Sequence, residues 1–449
     1  MGRTEAQVRW RAAAVALLAA GVVVGPVAPA VAEDTIRQQQ WHLEAMHAPE
    51  MWKTSKGQGI TVAVIDGGFK LDHPDLEGQF LPGKDFSGSP GGVGSFGDGH
   101  GTAMASLIAG TGKGMGGTGA QGLAPGVKIL PLKINNGSVG ALVSSDFLRQ
   151  IGQAINYAVE QGAKVINISQ GMEAGTTVPE DVAKLNSIIA AARAKGVLIV
   201  SSVGNEAQKG NPVEYPGALP GVVGVAALDH DASVTSESEQ GPQVALAAPG
   251  LDMIAACTSP TGYCKSHGTS DAAALVSASA ALVWSVHKDW SANQVLRVLI
   301  NTAGKPHDGS VRNDLGGYGS VRPRVALTDP GDPGPADVSP IPVAPVPTAS
   351  PSASATSPAP ASSSSPGDGP SEVAVGVPTS QPKAEASSGS GSVLPVVGGV
   401  VAGLLVVAGV VFAVLRRRKD AVPPMNSVIL PPPPSEQPSV PPEDNPYVR

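Results

Sequence analysis

The chain has 449 residues, a formal net charge of −7 and only 15% charged residues. That balance leaves no basic footprint, so nucleic acid is excluded as a partner class. The length allows two or three domains, but the 42 prolines crowd beyond position 329, which favours one large domain with low-complexity ends.

In chain order, Arg3, Arg9 and Arg11 precede an apolar stretch from Ala12 to Val24, and Ala30-Val31-Ala32 follows. This is the layout of a secretory signal peptide over residues 1–32, cleaved after Ala32. Residues 33–327 read as globular. Short Val- and Ile-rich runs at Ile60–Ile65, Val127–Lys133, Val165–Ile168, Val197–Ser201 and Val222–Ala226 predict buried strands. Phe147–Glu160, Val182–Lys195 and Ser270–His287 predict helices between or after them. Such alternation predicts an α/β fold: a mostly parallel sheet covered by helices.

Residues 328–392 turn to Pro, Ser, Ala, Gly and Thr and are expected to be a linker, unable to bury enough apolar surface to fold. Residues 393–415 are expected to form a transmembrane helix: the uncharged run Val396–Leu415 would reach ~30 Å, a bilayer core. Arg416-Arg417-Arg418-Lys419 follows at once and predicts a cytoplasmic C-terminal tail, 416–449, with the large domain outside. The expected location is thus the cell membrane, crossed once.

Three segments carry candidate chemistry. The strand Ile60–Ile65 ends in Asp66-Gly67-Gly68, placing a carboxylate at the carboxyl end of a strand, where open α/β sheets build sites. Asp98-Gly99-His100-Gly101-Thr102 sets a histidine, a general base near neutral pH, before a small-residue helix. Gly268-Thr269-Ser270 opens an Ala-rich helix, whose free N–H groups and dipole suit a nucleophile and an oxyanion. Singly, each has an ordinary explanation: an Asp-Gly turn, a loop histidine, an N-cap serine. Together they stand in the order Asp…His…Ser, one of the known orders of the serine-protease triad.

At this point the chain resembles the subtilisin-like peptidases. The resemblance rests on Val62–Gly68 with Asp72-His73-Pro74-Asp75-Leu76, on His100-Gly-Thr and on Gly268-Thr-Ser, and spans most of Gln40–Leu327. A narrower likeness is to the mycosins, membrane-anchored subtilases associated with type VII secretion. It is carried by Gln40-Trp41, Trp52, Gly57-Gln58-Gly59, the signal peptide, the Pro-rich linker and the single span with its basic stop. The resemblance implies a three-layer subtilisin-like fold and a serine endopeptidase with Asp66, His100 and Ser270 as catalytic triad. It also implies Asn205, in Ser202-Val-Gly-Asn205-Glu206, as the oxyanion-hole amide, and Ser169-Gln170-Gly171 as the strand edge that pairs with substrate backbone.

The expected partners are a protein or peptide substrate, the membrane and, through the mycosin likeness, a type VII secretion membrane complex. No cofactor or metal is expected. His73 is expected to be structural, and His267, three residues from Ser270, a poor independent base. Cys257 and Cys264 share a short loop in an oxidising compartment and are expected to form a disulfide.

The sequence departs from the subtilase pattern at Asp271 and Leu275, where an apolar or aromatic residue and a proline are usual, and at Gln170, where leucine is common. A carboxylate beside an oxyanion hole is unfavourable. It keeps open an alternative: a catalytically weak scaffold that stabilises or gates a membrane secretion complex. No long propeptide precedes the domain, so Glu33–Trp52 is expected to pack onto it, or the domain to fold unaided.

Overall fold

The computed structural model describes residues 35–135 and 144–343. The expected signal peptide, transmembrane helix and tail, and most of the expected linker, lie outside the described residues.

Three short helices come first: α1 (Ile36–Gln39), α2 (Trp41–Ala45) and α3 (Ala48–Thr54). Thr35 caps α1 through a reciprocal box with Gln38. These helices pack on the domain: Leu43 and Met51 are buried in its core. Trp41 Nε1 donates to the Leu251 carbonyl at 2.9 Å, and Trp52 Nε1 to Leu123 at 2.9 Å.

Then come β1 (Thr61–Asp66), β2 (Lys84–Asp85), α4 (His100–Ala109), α5 (Gly114–Gly117), β3 (Lys128–Lys133), α6 (Ser144–Glu160) and β4 (Val165–Ile168). They are followed by β5 (Met172–Glu173), α7 (Pro179–Ala194), β6 (Leu198–Ser202), β7 (Glu214–Tyr215), β8 (Val223–Leu228) and β9 (Val244–Pro249). The chain continues through β10 (Met253–Ala256), β11 (Tyr263–Ser266), α8 (Thr269–Val286), α9 (Ala292–Asn301) and α10 (Pro323–Thr328).

Seven strands form one parallel sheet in the order β2-β3-β1-β4-β6-β8-β9. Alternate residues of β1 face opposite layers: Val62 and Val64 join the core with α4 and α8, Ala63 and Ile65 the core with α6 and α7. Burial on both faces is why these strands read as unbroken apolar runs rather than alternating ones. The expected α/β fold with a parallel sheet between helical layers is what the structure has.

The central helix is α8. It is nearly all Ala, Ser, Val and Leu and is buried along most of its length, which lets it lie against β4, β6, β8 and β9. Among the described residues it alone is long and apolar enough to cross a bilayer, but its burial makes it a core helix.

The expected domain end at Leu327 falls short of the packed chain. Residues 329–343 fold back across α9 and the α7 end. Arg297 Nη2 donates to the Val338 carbonyl at 2.6 Å, Ser291 Oγ to Ala336 at 2.8 Å, and Gly221 N to Pro342 at 2.9 Å. Ile341 is buried. The linker composition begins at Thr328, but arginine and backbone donors of the domain hold its first part as ordered chain, so composition placed the boundary too early.

Candidate active site

The site lies where β1, β4 and β6 end, and each strand delivers one part of it. Asp66 is the last residue of β1 and is fully buried. Its Oδ1 accepts the Gly67 N–H at 2.7 Å, and both carboxylate oxygens face His100 Nδ1, at 3.0 and 2.9 Å. Carboxylate on both sides of Nδ1 requires the proton there, so the neutral imidazole presents a bare Nε2 to the cleft. His100 opens α4, and that helix can approach β1 because Gly101 faces Asp66: a methyl group at Gly101 would stand 3.0 Å from Asp66 Cβ.

Burial alone would lower the His100 pKa. The charge and hydrogen bond of Asp66 outweigh it, with Asp271 and Asp98 adding, and push it up to about 9. The charged Asp66–His100 pair is thereby favoured.

Ser270 stands in the first turn of α8, where backbone N–H groups lack helical acceptors. Its Oγ donates to the Ser169 carbonyl at 3.2 Å, and Ser169 Oγ donates back to the Ser270 carbonyl at 3.0 Å. The hydroxyl is thus turned to the strand edge after β4, not hydrogen-bonded to His100. Gly268, with φ of 122°, makes the sharp entry into α8, and a methyl there would meet Asn205 Oδ1 at 2.9 Å.

Asn205 follows β6. Its Oδ1 accepts from Thr269 N at 2.8 Å and from Thr269 Oγ1 at 3.0 Å. A backbone N–H can only donate, so this contact fixes the amide orientation and turns Nδ2 away. Nδ2 has no partner among the described residues, and Asn205 is exposed. A free amide donor beside the N-terminus of the serine's helix suits a developing oxyanion.

The proposed strand edge is more deeply involved than a surface for backbone pairing. Gln170 Nε2 donates to Asp66 Oδ1 at 3.2 Å and lies 3.2 Å from His100 Nδ1. Ser169 uses both its carbonyl and its hydroxyl on Ser270, and Asn167 Nδ2 donates to Ser169 Oγ at 3.0 Å. Gly171 lies against the Glu214 carboxylate. The side-chain contacts of Gln170 and the glutamate were not legible in the sequence; the unusual Gln in place of Leu was the one available signal.

The Asp271 carboxylate, expected beside the oxyanion hole, is turned into the protein. It is buried and accepts from Ser266 Oγ at 2.8 Å. Burial raises its pKa to about 6, against the opposing pull of Ser266, His100 and His267. His267 stays outside the Asp66–His100 pair: it is largely exposed and its Nδ1 meets Glu237 at 2.8 Å. His73 is buried; its Nδ1 accepts the Asp75 N–H at 3.1 Å, which leaves Nε2–H to donate to Gly262 at 2.9 Å, a structural role.

Cys257 and Cys264 are joined by a disulfide across the β10–β11 hairpin. The hairpin backs the His100 loop: a methyl at Gly99 would meet Thr258 N at 2.9 Å and Cys257 Cβ at 3.1 Å. Among the described residues, no cluster of His, Cys, Asp or Glu is placed to hold a metal ion.

Comparison with known proteins gives a consistent picture. The model of the subtilase family matches residues 57–321. The major intracellular serine protease of Bacillus subtilis (strain 168) is 34% identical over 255 residues, 55% of this chain and 75% of that protein. Among solved structures, MycP1 from the ESX-1 type VII secretion system superposes with a TM-score of 0.59 at 27% identity, covering 69% of this chain and 90% of that one. The MycP3 protease from the type VII (ESX-3) secretion system gives 0.56 at 30% identity, covering 64% and 88%.

Proposed function

The chain belongs to the subtilase family of serine proteases, and from that membership we propose that Asp66, His100 and Ser270 form its catalytic triad, acting on extended peptide in a membrane-anchored, extracellular setting tied to type VII secretion. The observation that carries the triad is the Asp66–His100 pair at 2.9 Å, contacted by Gln170, whose neighbour Ser169 is hydrogen-bonded to Ser270.

The proposed chemistry follows from the atoms. Rotation of the Ser270 hydroxyl from the Ser169 carbonyl brings its hydrogen to His100 Nε2. His100 takes the proton as Oγ attacks the scissile carbonyl carbon. The resulting oxyanion sits between the Ser270 N–H and Asn205 Nδ2. Asp66 stabilises the imidazolium, which then gives its proton to the leaving amine. Water, deprotonated by the same Nε2, attacks the acyl-enzyme. The acid product leaves and Ser270 regains its hydrogen. Ser169–Gly171 would hold the substrate as an added strand.

Membrane anchoring is supported by the apolar run Val396–Leu415 and its basic stop. The secretion role is supported by the likeness to MycP1 and MycP3. A second reading, a scaffold with weak catalysis, is favoured by one observation: the resting Ser270 hydroxyl is engaged by Ser169. Treating the purified chain with a fluorophosphonate probe separates the two. Labelling of Ser270 that vanishes in Ser270→Ala supports the enzyme, and no labelling of the parent chain supports the scaffold.

A further inference from the structure

Two carboxylates lie close to the proposed oxyanion site, against Gly171 and Gly204, and neither has a cationic partner among the described residues. Glu239 is fully buried, and neither of its carboxylate oxygens makes a well-formed hydrogen bond there, the backbone of Glu206 offering only a weak one. It lies directly against Gly204, the residue before Asn205. Glu214, half-buried on β7, lies directly against Gly171, at the end of the edge Ser169–Gly171. β7 pairs with β5 through Met172 and Tyr215, which fixes Glu214 beside that edge.

A buried, unpaired carboxylate is costly, and evolution normally pairs it or replaces it. Here two lie within electrostatic reach of each other, and Glu206 and Glu173 add to the negative field. The nearby cation Lys209 is already paired with Glu206 at 2.7 Å, so it does not neutralise the other two. Burial first, then the neighbouring carboxylates, raises the pKa of Glu214 to about 7 and that of Glu239 to about 8. Groups so placed favour the protonated form and gain by exchanging the proton for a cation. A metal ion is a poor candidate, since these carboxylates do not converge at ion-holding distance.

We propose that Glu214, backed by Glu239, forms an anionic subsite that accepts the lysine or arginine side chain of the substrate residue donating the scissile carbonyl. The inference rests on the protease reading above. With the carbonyl oxygen at Asn205 and the backbone along Ser169–Gly171, that residue's side chain enters between Gly171 and Gly204. A glutamate carboxylate lies against each of those glycines. A long flexible cation reaches Glu214 with its charged end while its methylene stem lies along the backbone between the two glycines.

The test uses the purified full-length chain and fluorogenic peptides identical except for the residue before the scissile bond: Lys, Arg, Leu or Glu. The expected result is kcat/KM for Lys and Arg at least ~10-fold above Leu, with Glu poorest. In Glu214→Gln the Lys-to-Leu ratio should fall by at least ~10-fold, and in Glu239→Gln by less, with thermal unfolding reporting that each variant is folded. Leu cleaved as well as Lys by the parent chain overturns the inference without needing any variant. So does a Lys-to-Leu ratio unmoved in folded Glu214→Gln. Labelling of Ser270 without a preference for Lys or Arg sinks this inference alone. Absence of both labelling and cleavage sinks the protease reading, and this inference with it.

Discussion

Gln170 Nε2 donates to Asp66 Oδ1 at 3.2 Å, so the carboxylate that faces His100 is also held from the strand edge. The amide withdraws some negative charge from Asp66 and thereby restrains the rise in the His100 pKa. Gln170 acts through Asp66 and is a positioning residue. In Gln170→Leu the restraint is gone: the acid limb of kcat/KM should move up by roughly half a pH unit, with kcat reduced less than ~10-fold. A limb that does not move would show that the contact is only packing.

The pH dependence of the parent chain follows from His100 itself. Its pKa is raised to about 9, burial opposing and Asp66 prevailing. The base works only when neutral, so kcat/KM should climb through pH 7 and 8 and level off above about 9. Asp66→Asn should bring the limb back towards the ordinary histidine value near 6.5, while lowering kcat by about 10⁴ through loss of the correct tautomer. The stability sign is the reverse of the activity sign. Because the folded pKa lies above the unfolded one, the stabilisation from the charged pair is complete below pH ~6.5 and is lost as pH rises through about 9. A flat profile between pH 6.5 and 9 would rule out this assignment.

The Cys257–Cys264 disulfide closes a loop with a sequence separation of 7. Loop-closure entropy for so short a ring predicts about 2–3 kcal/mol of stabilisation. Because the hairpin backs Gly99, loosening it should also disturb His100. Paired Cys257→Ser and Cys264→Ser substitution should lower Tm by roughly 5 °C and kcat by a few-fold. Differential scanning calorimetry with a peptide assay checks both. An unchanged Tm would mean that the hairpin is held by its strand pairing alone.

The packed segment 329–343 sets a third stability test. A chain ending at Thr328 loses the Arg297–Val338, Ser291–Ala336 and Gly221–Pro342 hydrogen bonds and exposes what Ile341 covers. It should unfold at a lower temperature than one ending at Val343, by about 2–4 kcal/mol in stability. Equal Tm values would return the domain boundary to the one that composition alone suggests.

These residues also show where sequence reading works and where it stops. The five expected strands fall within one or two residues of β1, β3, β4, β6 and β8, because strands buried on both faces announce themselves as apolar runs. Strand β9 and the β10–β11 hairpin are Ala-rich or polar, and helix α9 is short, so none stood out. The Asp66–His100 pair was legible because glycines fix both ends of it. The Glu239 carboxylate was not: no periodicity marks a glutamate that folds beneath Gly204, and only packing reveals it. Asp271 follows Ser270 in sequence, and only the helical turn, which carries its side chain to Ser266, shows where its carboxylate goes.

The sharpest test of mechanism concerns Asn205. Its amide oxygen is committed to Thr269, from both backbone and side chain, and its nitrogen is left to the cleft. The residue is exposed, so Asn205→Ala removes no core packing, and the N-terminus of α8 keeps its other donors. The Ser270 N–H and the helix dipole still oppose the developing charge when the amide is gone. The expected loss is therefore partial: kcat down by about 10²–10³, KM little changed, since the ground-state carbonyl gains little from the hole. Ser270→Ala removes the covalent route altogether and should cost on the order of 10⁶ in kcat. Asn205→Asp separates donor from shape. It keeps the oxygen that Thr269 requires but places negative charge where the oxyanion forms, so it should fall below Asn205→Ala. Single-turnover kinetics on one peptide substrate rank the three variants. An Asn205→Ala variant with near-parental kcat would remove Asn205 from the oxyanion hole and leave the Ser270 N–H as its sole assigned donor.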